Sequence, residues 1–160
     1  MIILGIDVGL NGALCFYDTE AEWLTIVDMP TVEIVRNGKN KREVSAQGLA
    51  DCILEIRPKH AFIERVGAMP NQGVTSVFSF GRSLGILEGA LACMAVPTTL
   101  VTPQAWQKGV QQRGGKDGSR ERAMQLFPKQ SDSFKLKKHD GRSDAALISY
   151  YGYLQIRGVK

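Results

Sequence analysis

Ile2-Ile3-Leu4-Gly5-Ile6-Asp7 is a run of apolar residues, rich in β-branched side chains, that ends on a carboxylate. Such a run predicts a buried β-strand. A carboxylate beside an apolar strand is costly unless a cation or a hydrogen-bond donor receives it. Because Asn11-Gly12 follows as a strong hairpin signal, Asp7 is either a turn residue that closes a hairpin or a rigidly held metal ligand.

Further acids occupy comparable places along the chain. His60-Ala61-Phe62-Ile63-Glu64 is a second short apolar strand that ends on a carboxylate, and Asp140 and Asp144 lie where the last predicted helix begins. Acids four residues apart share a helical face and repel each other unless a cation lies between them. Capping of the helix start by Asp140 is the alternative that needs no metal.

The order of elements predicts an α/β fold. Patterning and capping signals predict strands at residues 2–6, 14–18, 23–29, 60–64 and 97–101, and helices at 45–56, 74–95, from 103, at 119–127 and at 141–154. An antiparallel meander followed by β-α-β crossovers makes a mixed five-stranded sheet, three antiparallel strands and then parallel ones, with helices on both faces. Residues 30–43 are expected to form a flexible basic loop or hairpin tip, 111–118 a polar loop and 129–138 a basic linker.

Composition places the chain among ordinary globular proteins. Its 160 residues, 44% hydrophobic and 22% charged, suit a single domain over 1–160 with a sizeable core. The three cysteines (Cys15, Cys52 and Cys93) lie in apolar segments without metal-ligand spacing, which favours a reducing compartment. No signal peptide and no stretch of membrane-spanning length is expected. The predicted location is therefore the cytoplasm, or the host cytoplasm if the protein is viral.

Positive charge is concentrated in one region. Between Lys108 and Arg142 there are ten Lys or Arg and four Asp or Glu, an excess of six, whereas the whole chain carries +4. Such a region suggests a polyanionic partner, although a solvated face is the commoner explanation.

Asp7, Glu64, Asp140 and Asp144 would together form a site with oxygen ligands alone. Magnesium or manganese prefers such a site, whereas zinc prefers nitrogen or sulfur. Two such ions about 4 Å apart activate a water and stabilise the leaving oxygen in phosphodiester cleavage. Nearby Lys and Arg side chains would hold neighbouring phosphates.

Four segments, taken in order, resemble the RuvC-type Holliday junction resolvases, in particular the compact phage and viral versions. They are Ile3-Leu4-Gly5-Ile6-Asp7-Val8-Gly9, Ala61-Phe62-Ile63-Glu64, Thr102-Pro103-Gln104-Ala105-Trp106 and His139-Asp140-Gly141-Arg142-Ser143-Asp144-Ala145-Ala146. The resemblance spans nearly the whole chain. It implies a ribonuclease H-like fold, a homodimer, two divalent ions (Mg²⁺, or Mn²⁺) per active site, and symmetric nicking of two opposing strands of a four-way DNA junction.

The resemblance also implies roles for the acids. Asp7 would be the ligand shared between the ions, Glu64 would bind one ion and help to position the attacking water, and Asp144 would be the ligand on the final helix. Many relatives carry a third ligand three residues before the last acid, where this chain has Gly141. Asp140 is the favoured substitute, and His139 is the alternative.

Candidate DNA-binding residues follow from the same resemblance. Lys108 and Lys116 match the basic residues that relatives carry near the DNA, Arg120 follows on the next helix, and Lys138 precedes the last motif. Relatives often place an aromatic wedge after the second acid, where this chain has Gly67-Ala68-Met69. Met69 is therefore the candidate for a contact with bases at the crossover.

Gly81, Gly85 and Gly89 lie on one face of the predicted helix 74–95, where another backbone can approach closely. That backbone belongs either to the sheet or to the same helix of a second copy, because the resembling family forms its dimer seam there.

Three other functions fit parts of the pattern. A ribonuclease H-like nuclease acting on another branched DNA or on RNA would keep the same acids. Actin-like ATPases and sugar kinases also begin with Gly-Ile-Asp-Val-Gly, but they need two such domains. In a nucleic-acid binder without activity the acids would be free to vary, so their full presence argues against that class.

Overall fold

The computed structural model describes residues 1–36, 38–65, 67 and 73–158. The strands are β1 (Ile2–Asp7), β2 (Ala13–Asp18), β3 (Trp23–Asp28), β4 (Thr31–Arg36), β5 (Lys39–Val44), β6 (His60–Glu64) and β7 (Thr98–Val101). The helices are α1 (Ala46–Ile56), α2 (Val74–Cys93), α3 (Pro103–Gly109), α4 (Gly115–Leu126) and α5 (Asp140–Ile156), with short 3-10 helices at Pro128–Phe134 and Lys137–His139.

Five strands form one mixed sheet in the order β3-β2-β1-β6-β7. β1 pairs antiparallel with β2 and parallel with β6, and so lies at the centre of the sheet. β3 extends the antiparallel side and β7 the parallel side. The predicted mixed five-stranded sheet is confirmed.

Sheet side chains alternate between two buried layers, as the period of two along a strand requires. Ile3 of β1 joins the layer that packs against α3, α4 and α5. Leu4 and Ile6 join the layer that packs against α1 and α2. The predicted placement of helices on both faces is therefore confirmed.

Gly5 allows α5 to approach β1 closely. A Cβ at this position would collide with the backbone of Ala145 and Ser149, both in α5. Glycine inside a strand is commonly found where another backbone comes this near. The contact holds the first turns of α5 beside the carboxyl end of β1.

β4 and β5 form a separate two-stranded antiparallel sheet, which pairs Thr31 with Val44 and Arg36 with Lys39. The prediction of a flexible loop over residues 30–43 is therefore wrong. The alternative prediction of a hairpin tip is closer, but the hairpin consists of two full strands. Most side chains of β5 are polar and exposed, so they show none of the apolar alternation that reveals a strand.

Two other boundaries differ from expectation. α4 begins at Gly115 and not at Ser119, with Gly114 as its N-cap at φ 85°. Glycine has a low helix propensity, so the sequence conceals this first turn. The region 129–138, predicted to be a linker, is largely occupied by the two 3-10 helices.

The glycines of α2 do not pack on the sheet. α2 buries Ser83, Leu87 and Leu91, whereas a Cβ at Gly81, Gly85 or Gly89 would meet no atom of the described residues within 4 Å. Packing of this face on the sheet is thus excluded, and contact with a second copy stays a prediction. No described helix, α2 included, has the length and apolar character needed to cross a membrane.

Candidate active site

Asp7 and Glu64 lie side by side at the carboxyl ends of neighbouring strands. β1 and β6 run parallel, and their register pairs Ile6 with Ile63. The next residue along each strand is the acid, and paired strands lie about 4.8 Å apart. The two acids therefore open onto the same end of the sheet.

α5 brings Asp140 and Asp144 to this end of the sheet. All four acids line one cavity of about 1240 Å³, here called the acidic cleft. Gly141 lies between Asp140 and Asp144 on α5, and a Cβ there would lie 2.5 Å from the Asn11 carbonyl oxygen and 3.0 Å from Asp7 Oδ2. The start of α5 thus packs directly against Asp7 and the β1–β2 loop.

Asp140 is held by Arg120. Arg120 Nη1 donates to Asp140 Oδ1 at 2.7 Å, and the same guanidinium also contacts Asp117. Only 12% of the Arg120 side chain is exposed. Its charge offsets the repulsion that clustered carboxylates would otherwise suffer. Arg120 is thus engaged with an acid of the cleft, and its contact with DNA stays a prediction.

His139, the alternative to Asp140, also lines the acidic cleft. The residue is 8% exposed, and its Nδ1 has no hydrogen-bond partner among the described residues. Burial and then the charges of Arg142 and Lys138 lower the pKa of His139, against an opposing effect of Asp28. A lower pKa favours the neutral imidazole, which is the form that binds a metal ion.

The predicted DNA-binding residues are placed unevenly. Lys138 lines the acidic cleft, whereas Lys108 lines a different cavity, between α3 and α5. Met69 and the side chain of Lys116 lie outside the described residues. The structure thus brings one of these candidates, in addition to Arg120, to the acids.

Arg142 ties the start of α5 to the end of β3. Its Nε and Nη2 donate to the two carboxylate oxygens of Asp28, each at 2.6 Å. This hydrogen bonding lowers the pKa of Asp28 and raises that of Arg142. Because the folded-state pKa of Asp28 is lowered, the pair's contribution to stability is fully present above the ordinary pKa of an aspartate. It is lost as the pH falls through the folded-state value.

Trp106 positions Glu64. The indole Nε1 of this buried residue donates to Glu64 Oε1 at 3.0 Å. Thr102 caps α3 and Pro103 occupies its first turn, so the local sequence fixes where the helix starts and where Trp106 lies. Sequence reasoning missed this contact, although an indole N–H inside a motif that accompanies acids is a signal for a carboxylate partner.

The donor set of the acidic cleft fits a hard divalent cation, because carboxylate oxygens are the ligands that Mg²⁺ and Mn²⁺ prefer. The hydrogen bonds from Trp106 and Arg120 use one oxygen each of Glu64 and Asp140. Within the described ranges, no three His, Cys, Asp or Glu side chains are already gathered tightly enough to hold an ion. The fit therefore rests on the chemistry of the acids and on their common cleft.

No protein-family model and no curated protein matches the sequence, but several solved structures match the fold. Thermus thermophilus RuvC in complex with a Holliday junction substrate aligns with a TM-score of 0.68 and 12% identity, over 99% of this chain and 97% of that one. The chain has the RuvC fold. The yeast mitochondrial Holliday junction resolvase aligns with a TM-score of 0.55 and 14% identity, over 98% of this chain and 79% of that one. The fowlpox virus Holliday junction resolvase aligns with a TM-score of 0.50 and 11% identity, over 98% of this chain and 99% of that one.

The RuvC fold confirms the ribonuclease H-like architecture that the sequence resemblance implied. Identities of 11–14% establish the fold alone, so the chemistry has to be argued from this chain's own residues. Those residues place carboxylates from two neighbouring strands and a helix around one cleft.

Proposed function

We propose that this protein is a crossover junction endodeoxyribonuclease, which resolves four-way (Holliday) DNA junctions by paired symmetric nicking. The observation that carries the proposal is the common cleft of Asp7, Glu64, Asp140 and Asp144 on a RuvC fold. One of the similar structures contains a Holliday junction. The proposal includes a single nuclease domain over residues 1–160 and a place of action in the cytoplasm, or the host cytoplasm if viral.

The proposed cofactor is Mg²⁺, with Mn²⁺ as a substitute, at two ions per active site. When bound, the ions would activate the attacking water and stabilise the leaving oxygen of the phosphodiester. Asp7 is the proposed ligand shared by both ions, and Glu64 and Asp144 each contribute to one. The hydrogen bond from Trp106 would hold the Glu64 carboxylate in position to bind its ion.

Asp140 is the proposed third ligand, and His139 is the alternative. Position 141 has no room for a side chain, because a Cβ there would lie 2.5 Å from the Asn11 carbonyl oxygen. The neighbouring residue Asp140 already lines the acidic cleft. Its hard oxygen ligands suit Mg²⁺ better than imidazole nitrogen does.

DNA contacts are proposed on four basic residues and one methionine. Lys138 is a proposed contact beside the acids, because it lines the acidic cleft and is exposed. Lys108, Lys116 and Arg120 are the further proposed phosphate contacts, and Met69 is the proposed contact with bases at the crossover.

A homodimer through α2 would give two incisions their symmetry. The face of Gly81, Gly85 and Gly89 continues towards the helix start in Phe78 and Val74, which are 63% and 86% exposed. These positions recur at helical spacing and form one stripe. Large exposed apolar side chains next to small residues are typical of a surface that another protein covers.

The Gly85→Arg variant is expected to be monomeric at micromolar concentration and to make single nicks where the wild type makes paired cuts. A long charged side chain in the middle of a close helix pair would separate the two backbones. Sedimentation gives the oligomeric state, and a supercoiled cruciform plasmid distinguishes nicked from linear products. Glu55→Arg, at an exposed position of α1, is the control that should change neither. A Gly85→Arg protein that still dimerises and cuts in pairs would place the seam elsewhere.

The Trp106→Phe variant is expected to cut about tenfold more slowly and to need more Mg²⁺ for its half-maximal rate. Phe fills most of the buried space but cannot donate to Glu64, and a hydrogen bond to a charged group contributes about 1.5–3 kcal/mol. Cleavage rates over a range of Mg²⁺ concentrations measure the effect. Trp23→Phe, at an exposed position of β3, should behave as the wild type. An unchanged Mg²⁺ dependence in folded Trp106→Phe would refute the positioning role.

The decisive experiment compares a mobile synthetic four-way junction with a linear duplex, each with and without Mg²⁺. We expect symmetric nicks in the junction, dependence on Mg²⁺ and little cleavage of the duplex. Equal cleavage of both substrates would reject the resolvase and leave a general nuclease. Preferred cleavage of another branched DNA or of RNA would instead favour a ribonuclease H-like nuclease with a different substrate.

A further inference from the structure

The β4–β5 hairpin is fastened to both walls of the acidic cleft. Arg42 Nη2 donates to the Leu10 carbonyl oxygen at 3.3 Å and to Asn11 Oδ1 at 2.8 Å, in the loop that follows Asp7. On the hairpin's other side, Glu43 Oε2 accepts from Arg82 of α2 at 2.8 Å. The hairpin is therefore a fixed part of the cleft's surroundings.

The hairpin presents positive charge on the side that faces α2. Arg36 pairs with Lys39 and Ile34 with Lys41, and opposite residues of an antiparallel pair point to the same face. Glu43, which binds Arg82, lies on that face as well. Lys39 and Lys41 are exposed and form no ion pair with any residue that the structure describes.

A groove between the hairpin and α2 continues the acidic cleft. Arg36, Lys41, Arg42 and Arg82 line this groove with Glu43 as the acid among them. The lining shared by the groove and the acidic cleft consists of polar side chains, namely Arg42, Thr75, Ser79 and Ser83. Guanidinium, ammonium and hydroxyl groups are the side chains that contact nucleic-acid phosphates.

We propose that the β4–β5 hairpin is a second DNA-binding element, whose Lys39 and Lys41 hold backbone phosphates of the strand that leaves the acidic cleft along the hairpin–α2 groove. The occupant is a nucleic-acid backbone, because the groove that starts at the proposed cleavage site is lined by four cations and by one acid, Glu43, which both Arg36 and Arg82 contact. The inference rests on the proposed nuclease function, since it extends the path of the same substrate. It adds a second group of DNA contacts to those already proposed for residues of the segment 108–138.

The test compares Lys39→Gln/Lys41→Gln with the wild type in a chelator, so that binding is measured without cleavage. A fluorescent four-way junction is titrated over a range of salt concentrations. Each phosphate contact adds about 0.9 to the slope of log affinity against log salt. We therefore expect the slope to fall by about 2, with binding roughly tenfold weaker at 0.1 M salt.

Two further variants separate this effect from general changes in charge and folding. Arg57→Gln/Lys59→Gln removes two exposed cations at the far end of the sheet, where the Lys59 amide donates to the Ile2 carbonyl. Ile2 and Asp7 lie at opposite ends of β1, about 17 Å apart, so this control should keep the wild-type slope. Lys39→Arg/Lys41→Arg keeps the charge and should also bind as the wild type.

Each outcome decides the matter. If the hairpin variant binds with the wild-type slope, or if the distant control loses as much affinity, the hairpin is not a DNA-binding element, while junction cleavage by the wild type would still uphold the proposed function. If the wild type neither binds nor cuts the junction, the proposed function fails, and the hairpin inference fails with it.

Discussion

The Asp7→Asn variant is expected to cut four-way junctions at least about a thousandfold more slowly than the wild type, while junction binding is retained. Asparagine has nearly the same shape as aspartate, but its neutral amide is a poor ligand for a hard divalent cation. A loss of about 4 kcal/mol in transition-state stabilisation corresponds to about a thousandfold in rate. Binding should persist, because removing a negative charge from a surface that faces phosphates does not weaken electrostatic attraction. Single-turnover cleavage and binding in a chelator measure the two effects separately.

Asp18→Asn is the matched control, because it makes the same chemical change at the other end of the sheet. The register pairs Asp18 with Ile2, whereas Asp7 pairs with Ala13. Asp18 accepts backbone N–H groups of Glu20 and Ala21 through Oδ1, which an amide oxygen also accepts. A normal rate in Asp7→Asn would remove Asp7 from the metal site. Loss of binding together with a lower melting temperature would instead support the structural turn role that the Asn11-Gly12 signal left open.

The central sheet was predictable from sequence because its strands are short, apolar and followed by turn signals. β1 and β6 bury most of their residues, and burial on both sides is what a continuous apolar run indicates. The β4–β5 hairpin obeys other forces. Its strands pair through backbone hydrogen bonds while most side chains of β5 are polar and exposed to water, so β5 has no hydrophobic pattern that predicts a strand.

The acids of the cleft were predictable for a topological reason, whereas their partners were not. An acid that ends each of two neighbouring parallel strands must emerge at the same sheet edge. The hydrogen bond from Trp106 to Glu64 joins residues 42 apart, and that from Arg120 to Asp140 joins residues 20 apart. Such contacts depend on how α3 and α4 pack, and no local pattern specifies that packing.

The second large effect is expected from Gly5→Ala, which should lower the free energy of unfolding by about 3 kcal/mol or more. The added methyl group would collide with backbone atoms of Ala145 and Ser149, and backbone cannot relieve overpacking by changing rotamer. For a chain of this size the loss corresponds to a melting temperature about 6–12 °C lower. α5 also carries Asp140 and Asp144, so any shift of the helix moves these acids away from Asp7.

Because of this link, Gly5→Ala should lose more cleavage activity than its folded fraction explains, even at a temperature where the variant is folded. Thermal unfolding and single-turnover cleavage at low temperature provide the two measurements. Thr25→Ala, at an exposed position on β3, is the control and should change stability by less than about 0.5 kcal/mol. A variant with wild-type stability and rate would show that α5 does not lie as close to β1 as described. A destabilised variant that cuts normally while folded would show that the acids tolerate movement of the helix, and would separate the role of Gly5 in folding from any role in catalysis.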